Sequence, residues 1–438
     1  MDQTEALIIE TIDRHREEIL EFARDIYSHA ELGYKEFQTS GKFVKKMEQL
    51  GLRTEKGFAI TGVKAYLNED KKENASLALL GELDALCIPE HAFANPETNA
   101  AHCCGHHAQM AGVFGAALAL TVPEIAEKLD GQVVFFATPA EEYGEIEFKN
   151  QLREQGKIRY GGGKCELLRI GAFDDIDLCL THHIRPGNEI LVGSGTGNGF
   201  VSKVIRVLGK ASHAAGAPEK GVNALSAASL GLQALGLNRE TFRDEDCVRV
   251  HPIITKGGNL VNVIPDEVVV ETLVRGKTIE AFTDAAKKTD RSFKAGAIAM
   301  GAKVEISTLP GYLPTLAEEA LPELKHAAEI SASGIPVIEA SGHAGGSTDV
   351  GDVQHLMPVY TFNTGGVKGG LHQIDFEVTD EEEAYIVTAK MFALAAYGLL
   401  KEKAQRSREL VDQYEPVFKN SAEYVEFMEQ FDSKEIFE

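Results

Sequence analysis

Cysteine is scarce in this chain, and positive charge is outnumbered. Six cysteines in 438 residues are too few for a disulfide framework, so a reducing, cytoplasmic location is expected. Lysine and arginine number 44 against 67 aspartates and glutamates, which gives a formal net charge of −23. A field of that sign repels nucleic acid and anionic membrane surfaces. The composition therefore predicts no nucleic-acid partner and no membrane partner.

The sequence is also expected to contain neither a long apolar run nor a leader peptide. No apolar run is expected to reach the length of a bilayer span, and the polar segment from Met1 to Arg14 does not resemble a signal peptide. Hydrophobic residues make up 44 % of the chain and charged residues 25 %, as is usual for globular proteins. A chain of 438 residues can form two or three domains around a large buried core.

The order of the predicted elements indicates an α/β fold with an insertion. Apolar strands and amphipathic helices fill residues 1–195 and resume after 311, whereas residues 196–310 follow the order strand-helix-strand-strand-helix-strand. The glycine-rich run at 193–199 is typical of a flexible linker. We therefore expect a discontinuous domain (1–195 and 311–438) and an inserted domain (196–310). The acidic tail, 409–438, is expected to form a solvated amphipathic helix.

The segment from Ala101 to Met110 concentrates side chains that bind transition metals. Its ligand-type residues are His102, Cys103, Cys104, His106 and His107. Thiolate and imidazole hold zinc and related metals, but a cysteine pair packed in the core beside helix-starting histidines is the alternative interpretation. A structural zinc site would need a second spaced pair of such residues, and we find none. A catalytic site with ligands from distant loops therefore fits better.

Polar side chains also follow three other predicted strands. Asp84, the pair Glu141 and Glu142, and His183 each come directly after a short apolar run. Ligands of open α/β sheets gather at the carboxyl ends of strands, so this convergence predicts a functional site. The alternative interpretation of the glutamate pair is a surface loop that neither binds nor catalyses anything. A late histidine in a glycine-rich loop, His372, joins the candidates, although taken alone it is typical of a surface position.

The candidate ligands suit two metal ions better than one. They are Cys104, His106, Glu142, His183 and His372. Five ligands exceed what one tetrahedral zinc with an open position requires, whereas they suit two metals about 3.5–4 Å apart that share a bridging ligand. Glu141 is next to a ligand, and it is therefore placed to take a proton from a metal-activated water and deliver it to a leaving amine.

These residues occur in a series of motifs that resembles the metallo-aminoacylases and carboxypeptidases. In order, the motifs are Glu-Leu-Asp-Ala-Leu, His-Cys-Cys-Gly-His, Pro-Ala-Glu-Glu, a strand-end histidine, Gly-Lys-Ala-Ser-His-Ala-Ala, Asn-Val-Ile-Pro-Asp and a late histidine. Within that family the chain looks like the amidohydrolase branch that holds hippurate hydrolases, auxin-conjugate hydrolases and aminobenzoyl-glutamate hydrolases. The resemblance covers about residues 26–397.

The resemblance implies both a fold and a metal centre. The fold is a zinc-peptidase-like catalytic α/β domain, with a mixed sheet flanked by helices, plus an inserted ferredoxin-like (βαββαβ) domain that serves as a dimerisation and lid domain in a homodimer. The metal centre holds two divalent ions, zinc or manganese, with Cys104 as the bridging thiolate and the other four ligands terminal. Glu141 is then the general base and acid, and Asp84 orients a ligand from behind.

The resemblance also assigns residues in the inserted domain. His213 matches a histidine that in relatives reaches into the partner subunit's site and stabilises the oxyanion. Asn262 and Arg275 match residues that grip the substrate's carboxylate, for which the arginine fork is suited. Considered without the family, Asn262 is equally typical of a turn and Arg275 of a charge on a strand surface.

Several positions depart from the family pattern. His107 stands where the branch usually has aspartate, which makes it an alternative ligand to His106, and Gln109 stands where histidine is frequent. The segment from Tyr143 to Tyr160 is longer than usual and is expected to shape the substrate pocket. The implied function is a metal-dependent amidohydrolase acting on an N-acyl amino acid or a small dipeptide-like substrate. The alternative is a metal-binding regulatory or scaffold protein that kept the fold without turnover.

Overall fold

The computed structural model describes residues 1–438, and the chain forms two compact units. The first unit contains residues 1–195, 316–342 and 352–421, and the second contains 196–315, 343–351 and 422–438. The α-helices are α1 (Gln3–Arg14), α2 (Arg16–Ser28), α3 (Phe37–Gln49), α4 (His106–Leu120), α5 (Pro123–Ala126), α6 (Ile146–Glu154), α7 (Gly163–Arg169), α8 (Ala224–Asn238), α9 (Ile279–Met300), α10 (Pro322–Ser331), α11 (Val350–Gln354), α12 (Thr388–Gln413) and α13 (Ser421–Glu429).

The strands are β1 (Arg53–Phe58), β2 (Gly62–Leu67), β3 (Ser76–Glu82), β4 (Leu86–Cys87), β5 (Ala100–Ala101), β6 (Gln132–Thr138), β7 (Leu178–Ile184), β8 (Ile190–Val192), β9 (Thr196–Gly197), β10 (Gly199–Leu208), β11 (Arg249–Val250), β12 (Ile253–Lys256), β13 (Glu267–Gly276), β14 (Lys303–Pro310), β15 (Val337–Glu339), β16 (His343–Ala344), β17 (Val359–Thr364), β18 (Val367–Lys368), β19 (Glu377–Val378) and β20 (Ser433–Phe437). Short 3₁₀ turns occur at Glu69–Lys71, Pro218–Lys220, Arg239–Thr241 and Asp244–Asp246, and a π-helical turn at Glu382–Val387 leads into α12.

A mixed eight-stranded sheet forms the centre of the first unit. Its strand order is β1-β2-β6-β3-β7-β17-β8-β15, in which β3 pairs in parallel with both β6 and β7 while β2 pairs antiparallel with β6. Every residue of β3 and β6 is buried, as expected of strands that helices cover on both faces. The predicted α/β fold with a mixed, helix-flanked sheet is confirmed.

Helix α4 is the central helix of the first unit, and all 15 of its residues are buried. It packs closely against α12 and α2 because Gly112 and Gly115 place no side chain in the contact. A Cβ atom at Gly115 would lie 2.5 Å from Cβ of Ala389 and 2.9 Å from Cδ1 of Ile19. The helix begins at His106, so this close packing fixes the position of a candidate ligand.

The long helical stretch 382–413 is the one segment long and apolar enough to cross a membrane by length and composition. This exceeds the apolar length expected from the sequence. However, 89 % of its most apolar window is buried inside the protein, which is the environment of a core helix. The stretch is also interrupted, because the backbone leaves the helical conformation from Lys401 to Ala404.

The second unit has its own antiparallel sheet and helices. The strand order is β11-β13-β10-β14-β20, with β12 also paired to β13. Helices α8 and α9 pack against each other and against this sheet. Numbered within residues 196–310, the four principal strands lie side by side in the order second, third, first, fourth.

The tail differs from its prediction. Helix α12 ends at Gln413, α13 covers Ser421–Glu429, and the chain finishes as strand β20, which pairs antiparallel with β14 in the second unit. The prediction of one solvated helix over 409–438 is therefore wrong, as is the assignment of the whole of 311–438 to the first domain. Local charge pattern carries no information about a free sheet edge more than 100 residues away.

The predicted flexible linker at 193–199 is ordered. Thr196–Gly197 forms β9, which pairs with β16, and the side chain of Asn198 is fully buried. Its amide nitrogen donates to the carbonyl oxygens of Cys247 and Gly345. The glycines in this run allow close backbone contacts, and the flexibility expected of them is lost to these hydrogen bonds.

A matched pair of glycine-to-alanine substitutions tests the packing of α4. Gly115→Ala forces a methyl group against Ala389 and Ile19, so we expect the free energy of unfolding to fall by about 1–3 kcal/mol. Gly41→Ala, on the exposed face of α3 with open space around it, should instead stabilise by up to about 1 kcal/mol through helix propensity. Thermal unfolding followed by circular dichroism checks both, and a Gly115→Ala protein as stable as the wild type would contradict the packing argument.

Candidate metal centre

The five predicted ligands lie close together at the carboxyl ends of β3, β6 and β7 in the first unit. Sγ of Cys104 is 3.3 Å from Nε2 of His183 and 3.2 Å from Nε2 of His372. Nε2 of His372 is in turn 3.0 Å from Oε1 of Glu142. His183 lies within β7, Glu142 follows β6, and His106 opens α4. The tertiary fold thus collects side chains from four separate parts of the sequence.

These ligands divide into two groups that share Cys104. In the first group, ligand atoms of Cys104, His106 and His183 all lie within 4.8 Å of one another, and the same holds for Cys104, Glu142 and His372 in the second. Nε2 of His106 is buried and has no hydrogen-bond partner, as expected of a nitrogen atom that binds a metal ion. The donor chemistry and this orphaned nitrogen fit two divalent ions bridged by one thiolate.

Glycine at position 105 makes this arrangement possible. Its φ is +87°, a conformation that favours glycine, and a Cβ there would collide with the side chain of Ile184. The turn presents Cys104 and His106 to the same side of the chain. Among the non-glycine residues with positive φ, two lie at or beside the candidate ligands: Ala140 with φ 48° and His372 with φ 61°. His372 is held there by its N–H, which donates to the carbonyl oxygen of Cys103 at 2.9 Å.

Asp84 is fully buried and contacts two of the ligands. Nδ1 of His106 lies 3.1 Å from Oδ1 of Asp84 and 2.9 Å from its carbonyl oxygen, while Oδ2 accepts the backbone N–H of Glu142 at 2.9 Å. Nδ1 of His106 therefore carries the proton, which leaves Nε2 available to a metal.

Burial shapes the electrostatics of the bridging position. Burial, together with the negative charge of Glu142, raises the pKa of the Cys104 thiol well above its ordinary value. Burial would also raise the pKa of Glu142, but the contact with His372 outweighs it and lowers that pKa. Without a metal, the thiol is thus neutral and the carboxylate charged.

Glu141 is buried beside these groups. Its Oε2 lies 3.9 Å from Nε2 of His106, and its carboxylate belongs to a third cluster with His106 and Glu82. Its carboxylate therefore faces the candidate metal site, although Glu141 belongs to neither of the two ligand groups that share Cys104. This placement suits a proton carrier.

A buried network around Glu82 was given no role from the sequence. Lys164 donates to Oε1 of Glu82 at 2.5 Å, and Gln109 donates to Oε2 at 2.7 Å. Oε1 of Gln109 accepts the N–H of Glu82 at 2.9 Å. Burial alone would raise the pKa of Glu82, but Lys164 and His106 outweigh it and keep that pKa below its ordinary value. The available signal was the Glu-Leu-Asp spacing, since residues two apart in an extended chain share a face.

His107 lies outside both ligand groups. Its Nε2 is 3.1 Å from the hydroxyl of Tyr385, and its ring packs against Tyr27 and His102. Burial lowers the pKa of His107 to about 3, so the ring is neutral. Adjacent residues of a helix point about 100° apart, and for this reason His106 faces the ligands while His107 faces the core. The alternative of His107 as a ligand is therefore wrong.

The long segment after the glutamate pair folds as α6 in its middle part. Lys149 of this helix is buried, and its Nζ donates to the carbonyl oxygen of Glu142 at 2.5 Å. The segment thus supports the backbone of a ligand. Its predicted role in shaping a substrate pocket stays a prediction.

The three predicted residues of the inserted segment lie in the second unit. His213 and Asn262 are exposed neighbours, because the N–H of Ala214 donates to the carbonyl oxygen of Asn262 at 3.0 Å. Nδ1 of His213 accepts the N–H of Gly216 at 3.0 Å. Arg275 is half-buried on β13, with its guanidinium carbon 6.0 Å from the ring centroid of Phe200.

Comparison with known proteins gives consistent relatives. The model of peptidase family M20/M25/M40 matches residues 78–397. An Xaa-Arg dipeptidase of Mus musculus is 27 % identical over 412 residues, covering 90 % of this chain and 85 % of the relative. One of the p-aminobenzoyl-glutamate hydrolase polypeptides of Escherichia coli (strain K12) is 27 % identical over 315 residues, 70 % of this chain and 60 % of the relative. A solved dinuclear metal-binding peptidase of the M20 family from Bacillus subtilis has a TM-score of 0.61 at 24 % identity, covering 89 % of this chain and 99 % of the other.

These comparisons confirm the resemblance inferred from the motifs and the predicted class, a hydrolase of amide bonds. The matched range includes every candidate ligand from Cys104 to His372. Together with the convergence of those ligands at the end of a mixed sheet, the match shows that the chain belongs to peptidase family M20/M25/M40.

Proposed function

We propose that this protein is a dinuclear metal-dependent amidohydrolase that cleaves the amide bond of an N-acyl amino acid or a small dipeptide-like substrate. The observation that carries the proposal is the pair of ligand groups that share Cys104, with Glu141 buried beside them. The names of two relatives, an Xaa-Arg dipeptidase and a p-aminobenzoyl-glutamate hydrolase, support this substrate class.

The two ligand groups would hold zinc or manganese. Cys104, His106 and His183 form one position, and Cys104, Glu142 and His372 form the other. A thiolate bridge favours zinc, while the carboxylate and imidazole ligands also suit manganese. When bound, such ions lower the pKa of water and polarise the amide carbonyl.

Glu141 moves the proton in the proposed reaction. Its carboxylate accepts a proton from the attacking water as the new C–O bond forms. As the C–N bond breaks, the same carboxyl group donates that proton to the amine nitrogen that leaves. Asp84 holds His106 in one tautomer and anchors the backbone N–H of Glu142, so both ligands keep their orientation throughout.

The second unit supplies the remaining parts of the proposal. The order of its four principal strands supports the proposal of a ferredoxin-like domain, and we assign it the role of dimerisation and lid domain in a homodimer. Because Nδ1 of His213 accepts a backbone N–H, the neutral ring carries its proton on the exposed Nε2. That N–H would stabilise the oxyanion in the partner's site, while Asn262 and Arg275 would bind the substrate's carboxylate. All six cysteines are free, which supports a cytoplasmic location.

Removing the proposed proton carrier tests the mechanism. Glu141→Gln should lower kcat by about 10²–10⁴-fold because an amide cannot accept the proton, while the metal content stays at the wild-type level. Glu124→Gln, an exposed carboxylate on α5, serves as the matched control and should keep full activity. Amine release from a panel of acyl-amino acids and dipeptides, with metal content measured in parallel, checks both. Equal turnover in Glu141→Gln would contradict the mechanism, and metal binding without any turnover by the wild type would favour the scaffold alternative.

The raised pKa of Cys104 predicts proton release on metal binding. The buried thiol is protonated in the free protein, and it must lose its proton to bridge two ions. Affinity should therefore fall as the pH is lowered, and calorimetry in buffers of different ionisation enthalpy should detect the released proton. Cys104→Ser should release fewer protons and bind more weakly. Metal uptake that is independent of pH would argue against a thiolate bridge.

Mixed dimers test the assignment of His213. Glu141→Gln and His213→Ala proteins should each be inactive, but a mixed dimer has one site with an intact Glu141 and the partner's intact His213. After random exchange in an equal mixture, about a quarter of wild-type activity should return. Size-exclusion chromatography establishes the dimer first. A mixture that stays inactive after verified exchange would show that His213 does not act across the dimer.

A further inference from the structure

We propose that Glu82 is a further ligand of the metal ion that His106 would hold, and that Lys164 and Gln109 hold its carboxylate in place. The inference deepens the proposed dinuclear function and rests on it. Glu82 ends strand β3, two residues before Asp84. Asp84 contacts Nδ1 of His106, whereas Glu82 contacts Nε2 of the same ring.

The distance between Glu82 and His106 fits two ligands of one ion. Oε2 of Glu82 lies 3.2 Å from Nε2 of His106, and this nitrogen has no hydrogen-bond partner. Two ligand atoms that each lie about 2.0–2.1 Å from a tetrahedral ion are separated by roughly 3.3 Å. Because Nδ1 of His106 contacts Asp84, Nε2 is the nitrogen that faces Glu82, and a cation bound between Nε2 and Oε2 would have both atoms as ligands.

The hydrogen bonds to Glu82 leave a lone pair on Oε2 that can bind a metal. Lys164 binds Oε1 and Gln109 binds Oε2, so the carboxylate cannot rotate. Gln109 lies three residues after His106 on α4, and positions so spaced share a helix face. Helix α4 therefore carries both the candidate ligand His106 and Gln109, which orients the carboxylate of Glu82.

Burial of this network argues for a role beyond stability. Glu82, Lys164 and Gln109 are 3 %, 0 % and 1 % exposed. Removing both charges of an ion pair from water costs several kcal/mol per ion, and an apolar pair of similar volume is often as stable or more stable. A metal-binding function accounts for a carboxylate that is buried with Lys164 and Gln109 beside the candidate ligand His106.

Metal titration of the apoprotein tests this inference without relying on turnover. Wild type, Glu82→Gln and the double variant Glu82→Gln/Lys164→Met are titrated with Co²⁺ against a chelator, and the visible spectrum reports the ligands. Both variants should lose at least about tenfold in affinity at one of the two positions, with a changed spectrum, while the other position keeps its affinity. Glu166→Gln is the control, because Glu166 is a buried, ion-paired carboxylate on the same helix as Lys164.

The double variant separates a lost ligand from a stranded charge. In Glu82→Gln alone, the unpaired Lys164 could repel the metal, but the double variant has no such charge. Wild-type affinity in the double variant, or in Glu82→Gln itself, overturns the inference. Circular dichroism verifies folding, and if Glu82→Gln does not fold, Glu82→Asp, whose retracted carboxylate should weaken the same position, takes its place with the same criteria. A wild type that binds fewer than two Co²⁺ ions overturns the dinuclear proposal itself, and this inference with it.

Discussion

The accumulation of buried negative charge at one end of the sheet is the constraint on which this structure depends. The carboxyl groups of Glu82, Asp84 and Glu141 are all buried around His106, next to the thiol of Cys104. A further buried carboxyl group, Glu36, shows the strain of this crowding, because burial and the charge of Asp84 raise its pKa to about 7. Buried charges need partners. Lys164 is one such partner, and the cluster as a whole is built for cations.

The fold brings these groups together through strand ends and one helix. Parallel pairing of β3 with β6 and β7 places residues of the segments at 82–84, 141–142 and 182–183 at the same edge. Helix α4 begins at the same edge of the sheet, and close packing at Gly115 fixes its position. Gly105 makes the turn between Cys104 and His106 that a residue with a side chain could not make without collision. Precision at the site therefore comes from buried backbone elements, whereas only His372 approaches on an exposed loop.

The candidate ligands could be picked out from the sequence because their chemistry is local. Cysteine, histidine and glutamate directly after apolar runs are visible in the residue order, and the family motifs link them. The buried network around Glu82 was less visible, because its partners Lys164 and Gln109 are 82 and 27 residues away. The tail strand β20 could not be predicted either, since it depends on an open edge of β14 that only the folded second unit presents.

The sequence by itself determined which chemistry is present: ligand types, a paired glutamate, the α/β class and the family. The periodicity of apolar residues and the residue types at strand ends are enough for that. The tertiary structure alone decided which candidate ligands lie together, that His106 faces them while His107 faces the core, and that the chain's end belongs to the second unit. These outcomes depend on distances between segments far apart in the chain, and such distances are set by packing and by hydrogen bonds across the sheet.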